Sequence, residues 1–464
     1  THLVLIVGGL LARLTDLPQA LGQARQDFSS GLSTLGAGGM ALLFMHAYSL
    51  GGGTYTGIEA VSNGLAIMRE PRVRTAKRTM LLMGTSLAFM ATGLLVSYLL
   101  WHIHPVDGKT MNAVLTERFV QIVPLGKAFV VLTLVSEGAL LVVAAQAGFV
   151  DGPRVLANMA VDSWVPRRFS ALSDRLTTQN GILLMGVAAL AGLVYTKGDV
   201  RHLVVMYAIN VFVTFSLSMV AMLRHSWQAR STGRIALFLV GFLFCTTILG
   251  FTVLEKFLEG AWVTLIVTGI VVALCHFIRA HYGRVTEKLN TLYSSLLEAP
   301  PLRGGTQADP DPTKRTAAIL VARYGGLGLH TLLSVFRDFP GHFKGVVFLT
   351  VGVVDSGAFK GEGTVDELKA DVNENLKKYV EFARAQGVPA SSRIAVGTDA
   401  VAEAETLCLE VAREFPNVTF FAGKILFEKE TWIHKVLHNE TAMAIQRRLQ
   451  WAGKTVVVVP ARVT

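Results

Sequence analysis

Along the first 280 residues, long runs of almost wholly apolar positions alternate with short polar stretches. A helix needs roughly 20 mostly apolar residues to cross hydrocarbon, and the runs reach that length. The pattern predicts spans at about 38–67, 79–101, 122–150, 181–197, 202–223, 234–254 and 260–279. With no water to satisfy backbone groups, helices or closed barrels are the only ways across, and runs of this length read as helices. The opening THLVLIVGGLLAR reads as the end of a further span. It has no initiator Met and no basic segment before its apolar run, so it does not read as a secretory signal peptide, and the chain reads as a fragment.

The period changes after the last span. Residues 281–313 are polar and end in LEAPPLRGGTQADPDPTK, whose Pro and Gly read as a linker between a membrane domain, 1–280, and a second domain, 314–464. There AAILVARY, GVVFLTVGVV, SRIAVG, VTFFAG and TVVVVPARV are short apolar runs. They are separated by the helical patterns GTVDELKADVNENLKKYVEFARAQG and AVAEAETLCLEVAREF. Apolar strands alternating with helices imply a parallel sheet covered on both faces.

Composition agrees with the membrane reading, since 52% of side chains are hydrophobic and only 16% charged, with mean hydropathy +0.47. Positive charge falls in alternate loops. MREPRVRTAKRTM, GPRVLANMAVDSWVPRRFSALSDRL, RHSWQARSTGR and RAHYGR are basic, whereas HIHPVDGKTMNAVLTERF, TKGDVRH and EKFLEG are balanced, mixed or acidic. By the positive-inside rule the basic loops and everything after residue 280 face the cytoplasm. The net charge of +10 is then explained by helix ends near anionic lipid, and nucleic-acid binding is not expected. Cys245, Cys275 and Cys408 show no CxxC and no pairing spacing, so neither a disulfide nor a zinc site is expected.

Candidate chemistry begins at GGGTYTGIEAVSNGL, 51–65, which puts Glu59 inside an apolar run. Glycine is costly in a helix interior, and a broken membrane helix frees backbone groups to line a substrate site. Gly51, Gly52 and Gly53 would supply the break. Glu59, with Thr56 one turn before it, would face the cavity as cation ligand or proton carrier. The competing readings are a carboxylate paired with another helix, or one close enough to the membrane boundary to be wet. In the second domain, RYGGLGLH follows a strand and opens a helix, so its N–H groups could hold an anion. The spacing is neither GxGxxG nor GxxxxGK[ST], and after the fourth strand AGKILFEKETW offers only Gly423. A glycine turn in a regulatory or dimerising domain without catalysis is the simpler reading.

The run TYTGIEAVSN, the basic REPRVRTAKRTM, the segment DGPRVLANMAVDSWVPRRFSALSDRLTTQNGI and the helix MYAINVFVTFSLSM resemble the amino acid-polyamine-organocation (APC) superfamily. The T-G-x-E-A pattern is similar to the potassium importers of the Kup and KimA type. The resemblance covers essentially the whole chain from the end of the fifth family helix. It implies a partial LeuT-type inverted-repeat fold without the first repeat, followed by a cytoplasmic universal-stress-like α/β domain. It also implies that Thr56, Glu59 and Tyr207 take part in coordinating a potassium ion, that the cytoplasmic domain forms a homodimer, and that cyclic di-AMP is a regulatory ligand there. Met219 stands where relatives often carry a polar residue.

Glu137, in VLTLVSEGALLVVAAQ, reads as a proton-coupling residue or as a structural hydrogen bond to a neighbouring helix. Asn210, Ser216 and Gln146 read as interhelical glue, and Tyr195 and Trp262 as interface anchors. His102 and His104 have no third ligand for a metal. The expectation is a bacterial inner-membrane, multi-pass secondary transporter and not an enzyme, importing potassium with protons. An amino acid permease of the same superfamily and a nucleotide-binding membrane sensor are the alternatives.

Overall fold

A computed structural model describes the chain except residues 52–60, 63, 123–125, 174, 298–304, 356–361, 427–436, 438–440 and 463–464. It divides into two compact units, 1–151 with 187–270, and 152–186 with 271–464.

The first unit is helical. In chain order come α1 (His2–Ala12), α2 (Leu17–Leu50), α3 (Arg72–Leu100), α4 (Met111–Ile122), α5 (Gly126–Val161), α6 (Gln179–Thr196), α7 (Val200–Gln228), α8 (Thr232–Glu255) and α9 (Trp262–Leu297). The last residues of α5, the first of α6 and most of α9 belong to the second unit. Among the described residues, seven helices are long and apolar enough to cross a membrane, which makes this a multi-pass membrane protein.

Six of the seven lie where the hydrophobic pattern put them. The first does not: instead of 38–67, the described helix begins at Leu17 and ends at Leu50. Its polar first half still forms helix, and Gly36, at φ +70°, bends it in a conformation that costs glycine least. Helix α4 also lies in a segment that reads as loop. Its Ala113, Val114, Leu115 and Phe119 are buried, which supplies the amphipathic drive that its charged positions hide. Where α1 crosses α3, Gly93 leaves room for Ile6, whose Cγ2 would stand 2.4 Å from a Cβ there. The Trp101 indole N–H donates to Gly9 O at 3.1 Å. Small residues allow such close approach between helices that gain nothing by hiding from lipid.

The second unit holds the sheet. Strands β1 (Thr316–Leu320), β2 (Gly345–Val353), β3 (Ala390–Gly397), β4 (Val418–Leu426) and β5 (Val456–Arg462) stand in the order β3-β2-β1-β4-β5. Every pairing is parallel. The helices are α10 (Gly326–Asp338), α11 (Glu362–Ala385), α12 (Ala400–Glu414) and α13 (Thr441–Trp451). Each of the five apolar runs picked out in the sequence is one of these strands. Alternate residues serve opposite faces, as a pleated strand requires. Ala317, Ile319, Phe348 and Phe421 pack with α10 and α11 residues such as Leu332 and Leu376. Ala318, Val347, Leu349 and Phe420 pack with Leu407 and Cys408 of α12 and Leu449 of α13.

Helix α9 runs through residues 281–297, whose polarity reads as a connection. Within the second unit this extension is well anchored. Arg279 lies 4.0 Å over the Trp164 ring, and the Tyr282 hydroxyl donates to Leu437 O at 2.5 Å.

Candidate functional site

Of the residues expected to handle a cation, Thr56, Glu59, Gly52 and Gly53 lie outside the described residues. The structure describes the frame on either side of them. Helix α2 closes at Gly51, whose N–H is capped by carbonyls of the last turn. After 52–60 the chain resumes at Val61, makes a short 3-10 turn at Gly64–Ile67 and enters α3. The last turns of α2 are held against α8 by an edge-to-face contact of Tyr48 on Phe244, centroids 5.3 Å apart, and by a close contact between the His46 imidazole and the Glu255 carboxylate. Neither pair is legible from the sequence, because the partners are far apart along it. Glu255 reads only as part of an acidic outer loop.

Tyr207 sits on α7, half-exposed, next to the buried Ala208 and Ile209. One turn on, Asn210 Oδ1 accepts from the Thr268 hydroxyl of α9 at 3.0 Å, the interhelical hydrogen bond expected of it. Met219, on the same helix, packs against Gly241 of α8, its sulfur 3.1 Å from where a Cβ would stand. In this structure that position closes a helix contact.

Glu137 lies on α5. Its Oε1 is 3.0 Å from His2 Nε2 on α1, and the Ser136 hydroxyl is 2.8 Å from that of Thr1. The hydrogen bond to a neighbouring helix is therefore present. Among the described residues no three of His, Cys, Asp and Glu converge as a metal site would need.

The second unit offers a different candidate. In an open parallel sheet, ligands sit at the carboxyl ends of the strands where the strand order reverses, here between β1 and β4. The turn ARYGG and the start of α10 lie there, but protein groups already occupy them. Tyr324 N–H donates to Asn375 Oδ1 at 3.1 Å and Gly325 N–H to the Tyr379 hydroxyl at 3.2 Å. That hydroxyl in turn donates to Arg323 O at 3.2 Å.

The glycines have protein neighbours too. A Cβ on Gly326 would lie 2.7 Å from Leu289 O of α9, one on Gly328 2.1 Å from the Tyr379 oxygen, and one on Gly423 2.6 Å from Thr331 Oγ1. Tyr293 of α9, Tyr324 and Tyr379 form a chain of edge-to-face rings, 5.9 and 4.7 Å between centroids. Burial pushes the Tyr324 phenol up to about 12, with the neighbouring Tyr293 adding to the shift, so Tyr324 stays neutral at any physiological pH. The glycines of RYGGLGLH serve packing of the chain against itself, and the end of α9 fills the place above the turn.

No family model matches the chain. It is 26% identical over 455 residues to the potassium transporter KimA of Bacillus subtilis (strain 168), a match that covers 97% of this chain and 68% of that protein.

Proposed function

We infer that this protein is a potassium transporter of the Kup and KimA type. The observation that carries the reading is the similarity to KimA along nearly the whole chain, and seven membrane-length helices fit a transporter. The finer reading is uptake into a bacterium across the inner membrane, driven by protons, by alternating access in a LeuT-type fold of the APC superfamily. It is supported by the alternation of basic loops, which turns the α/β unit to the cytoplasm, and by the T-G-x-E-A pattern.

In this mechanism the cation sits among the Thr56 hydroxyl, the Glu59 carboxylate, the Tyr207 phenol and backbone carbonyls near Gly52 and Gly53. A hard cation that must shed water is stabilised by oxygen ligands of this kind. Glu59, or Glu137 with His2, carries the proton. The α/β unit is read as universal-stress-like, a reading that its parallel β3-β2-β1-β4-β5 sheet is compatible with, and serves as a homodimerising and regulatory domain. With the β1 turn engaged by Tyr379, Asn375 and α9, a regulatory cyclic di-AMP would bind at another surface of it.

The test is rubidium uptake into proteoliposomes holding the full-length protein, with and without an inward proton gradient. Uptake is expected to be stimulated by the gradient and to fall at least about tenfold in Glu59→Gln, with membrane insertion unchanged. Amino acid uptake without rubidium uptake would replace this reading with the permease. Normal rubidium uptake by a folded Glu59→Gln protein would remove the carboxylate from the site.

A further inference from the structure

We propose that the first two turns of α3 hold an anionic phospholipid. Arg74, Lys77 and Arg78 are exposed, and their spacing puts them on one helix face. Together with Pro71, Val73 and Leu81 they line a groove of about 510 Å³. Like charges at this spacing repel, and they stand at the helix end whose dipole is already positive, where each costs a little more. No carboxylate relieves them among the described residues. The neighbouring Glu70 is spent on Arg72, with its oxygens 2.8 Å from the guanidinium Nε and 3.2 Å from the backbone N–H. The arrangement favours an anion from outside the chain.

The same face identifies that anion. One turn beyond Arg78 the surface turns apolar, with Leu81 and Leu82 both more than two-thirds exposed and Phe89 and Leu95 following. Seven residues of helix separate Arg74 from Leu81, about 10 Å along the axis, which matches the passage from headgroup to hydrocarbon. A soluble phosphate would use the cations and leave Val73 and Leu81 idle; a phospholipid uses both. A net anionic headgroup is preferred over a zwitterionic one, whose own ammonium competes for the phosphate. The inference rests on the membrane-spanning reading and not on which ion is carried, so its test does not use transport.

The full-length protein, purified in detergent with equal phosphatidylglycerol, phosphatidylethanolamine and phosphatidylcholine of the same acyl chains, is examined by native mass spectrometry. Each cation near an anionic headgroup contributes about fivefold, so phosphatidylglycerol should be retained at least about tenfold over phosphatidylcholine. That preference should vanish in Arg74→Gln/Lys77→Gln/Arg78→Gln, weaken about fivefold in Arg74→Gln alone, and survive in Arg74→Lys/Arg78→Lys. Neutralising Arg224, Arg230 and Arg234 instead should leave it in place. Equal retention of the lipids by the native protein, retention unchanged in the single and triple glutamine variants, or an equal loss at the second cluster would overturn the proposal. So would displacement by inorganic phosphate alone.

Discussion

The two units solve opposite problems with the same side chains. In the sheet, Phe348, Phe420 and Phe421 are wholly buried, whereas among the spans Leu141 is 73% exposed and Leu254 82%. Water drives large apolar groups inward in the first case. Hydrocarbon has no such preference in the second, so helix contacts fall to small residues such as Gly9, Gly93 and Gly241 and to polar pairs such as Glu137 with His2. Burial therefore identifies the core of the sheet and says little about importance in the spans.

Truncation should expose this contrast most strongly. Phe421→Ala is expected to cost the α/β unit about 3–5 kcal/mol, read as a lowered unfolding midpoint of the intact protein. Leu141→Ala, on an exposed face of α5, should cost no more than about 0.5 kcal/mol. A similar loss from both would mean that Leu141 is covered by protein.

Close approach gives the next largest effect. Gly328→Ala drives a methyl into the Tyr379 hydroxyl and should cost about 1–3 kcal/mol, part of it recovered when Tyr379→Phe removes the oxygen. No recovery would place the strain in the backbone of the turn.

Cys408 tests dryness without altering the chain. Burial pushes its thiol up to about 12, so at pH 8 almost none is thiolate. Iodoacetamide should modify it roughly a hundredfold more slowly in the native protein than in the unfolded one, by mass spectrometry of its peptide. Smallest of all, the partly exposed pair of Arg393 and Glu414 should contribute no more than about 0.5 kcal/mol in a double-mutant cycle.

The sheet was legible in the sequence because parallel strands buried on both faces are continuous apolar runs, and a run such as GVVFLTVGVV admits few other readings. Most spans were legible for the same reason. The start of α2 was not, since GQARQDFSSG is too polar for a span yet helical all the same. Nor was the helical course of 281–297, where polarity marks the exit from lipid and not the end of the helix. The candidate site was legible only as chemistry. Glu59 is anomalous in an apolar run and so draws attention, whereas the pairing of His46 with Glu255, or of Tyr379 with the β1 turn, is a fact of folding that no local pattern records. The anion-loop reading of RYGGLGLH was open in the sequence, because glycine chosen for a ligand and glycine chosen for a neighbouring helix are written with the same letter.

Helix α9 carries one more consequence. It has 36 residues, and within the second unit it is held at two places, by Arg279 over Trp164 and by Leu289 and Tyr293 against the β1 turn. Such a helix has a phase. One residue inserted between Arg279 and Leu289 would turn the two ends by about 100° against each other, so that Arg279 over Trp164 and Tyr293 against Tyr324 could not both be kept, while seven would bring them nearly back into register two turns further on. The two anchors of α9 within the second unit are thus fixed in phase, and the stretch between them can be lengthened only in steps that the helix permits.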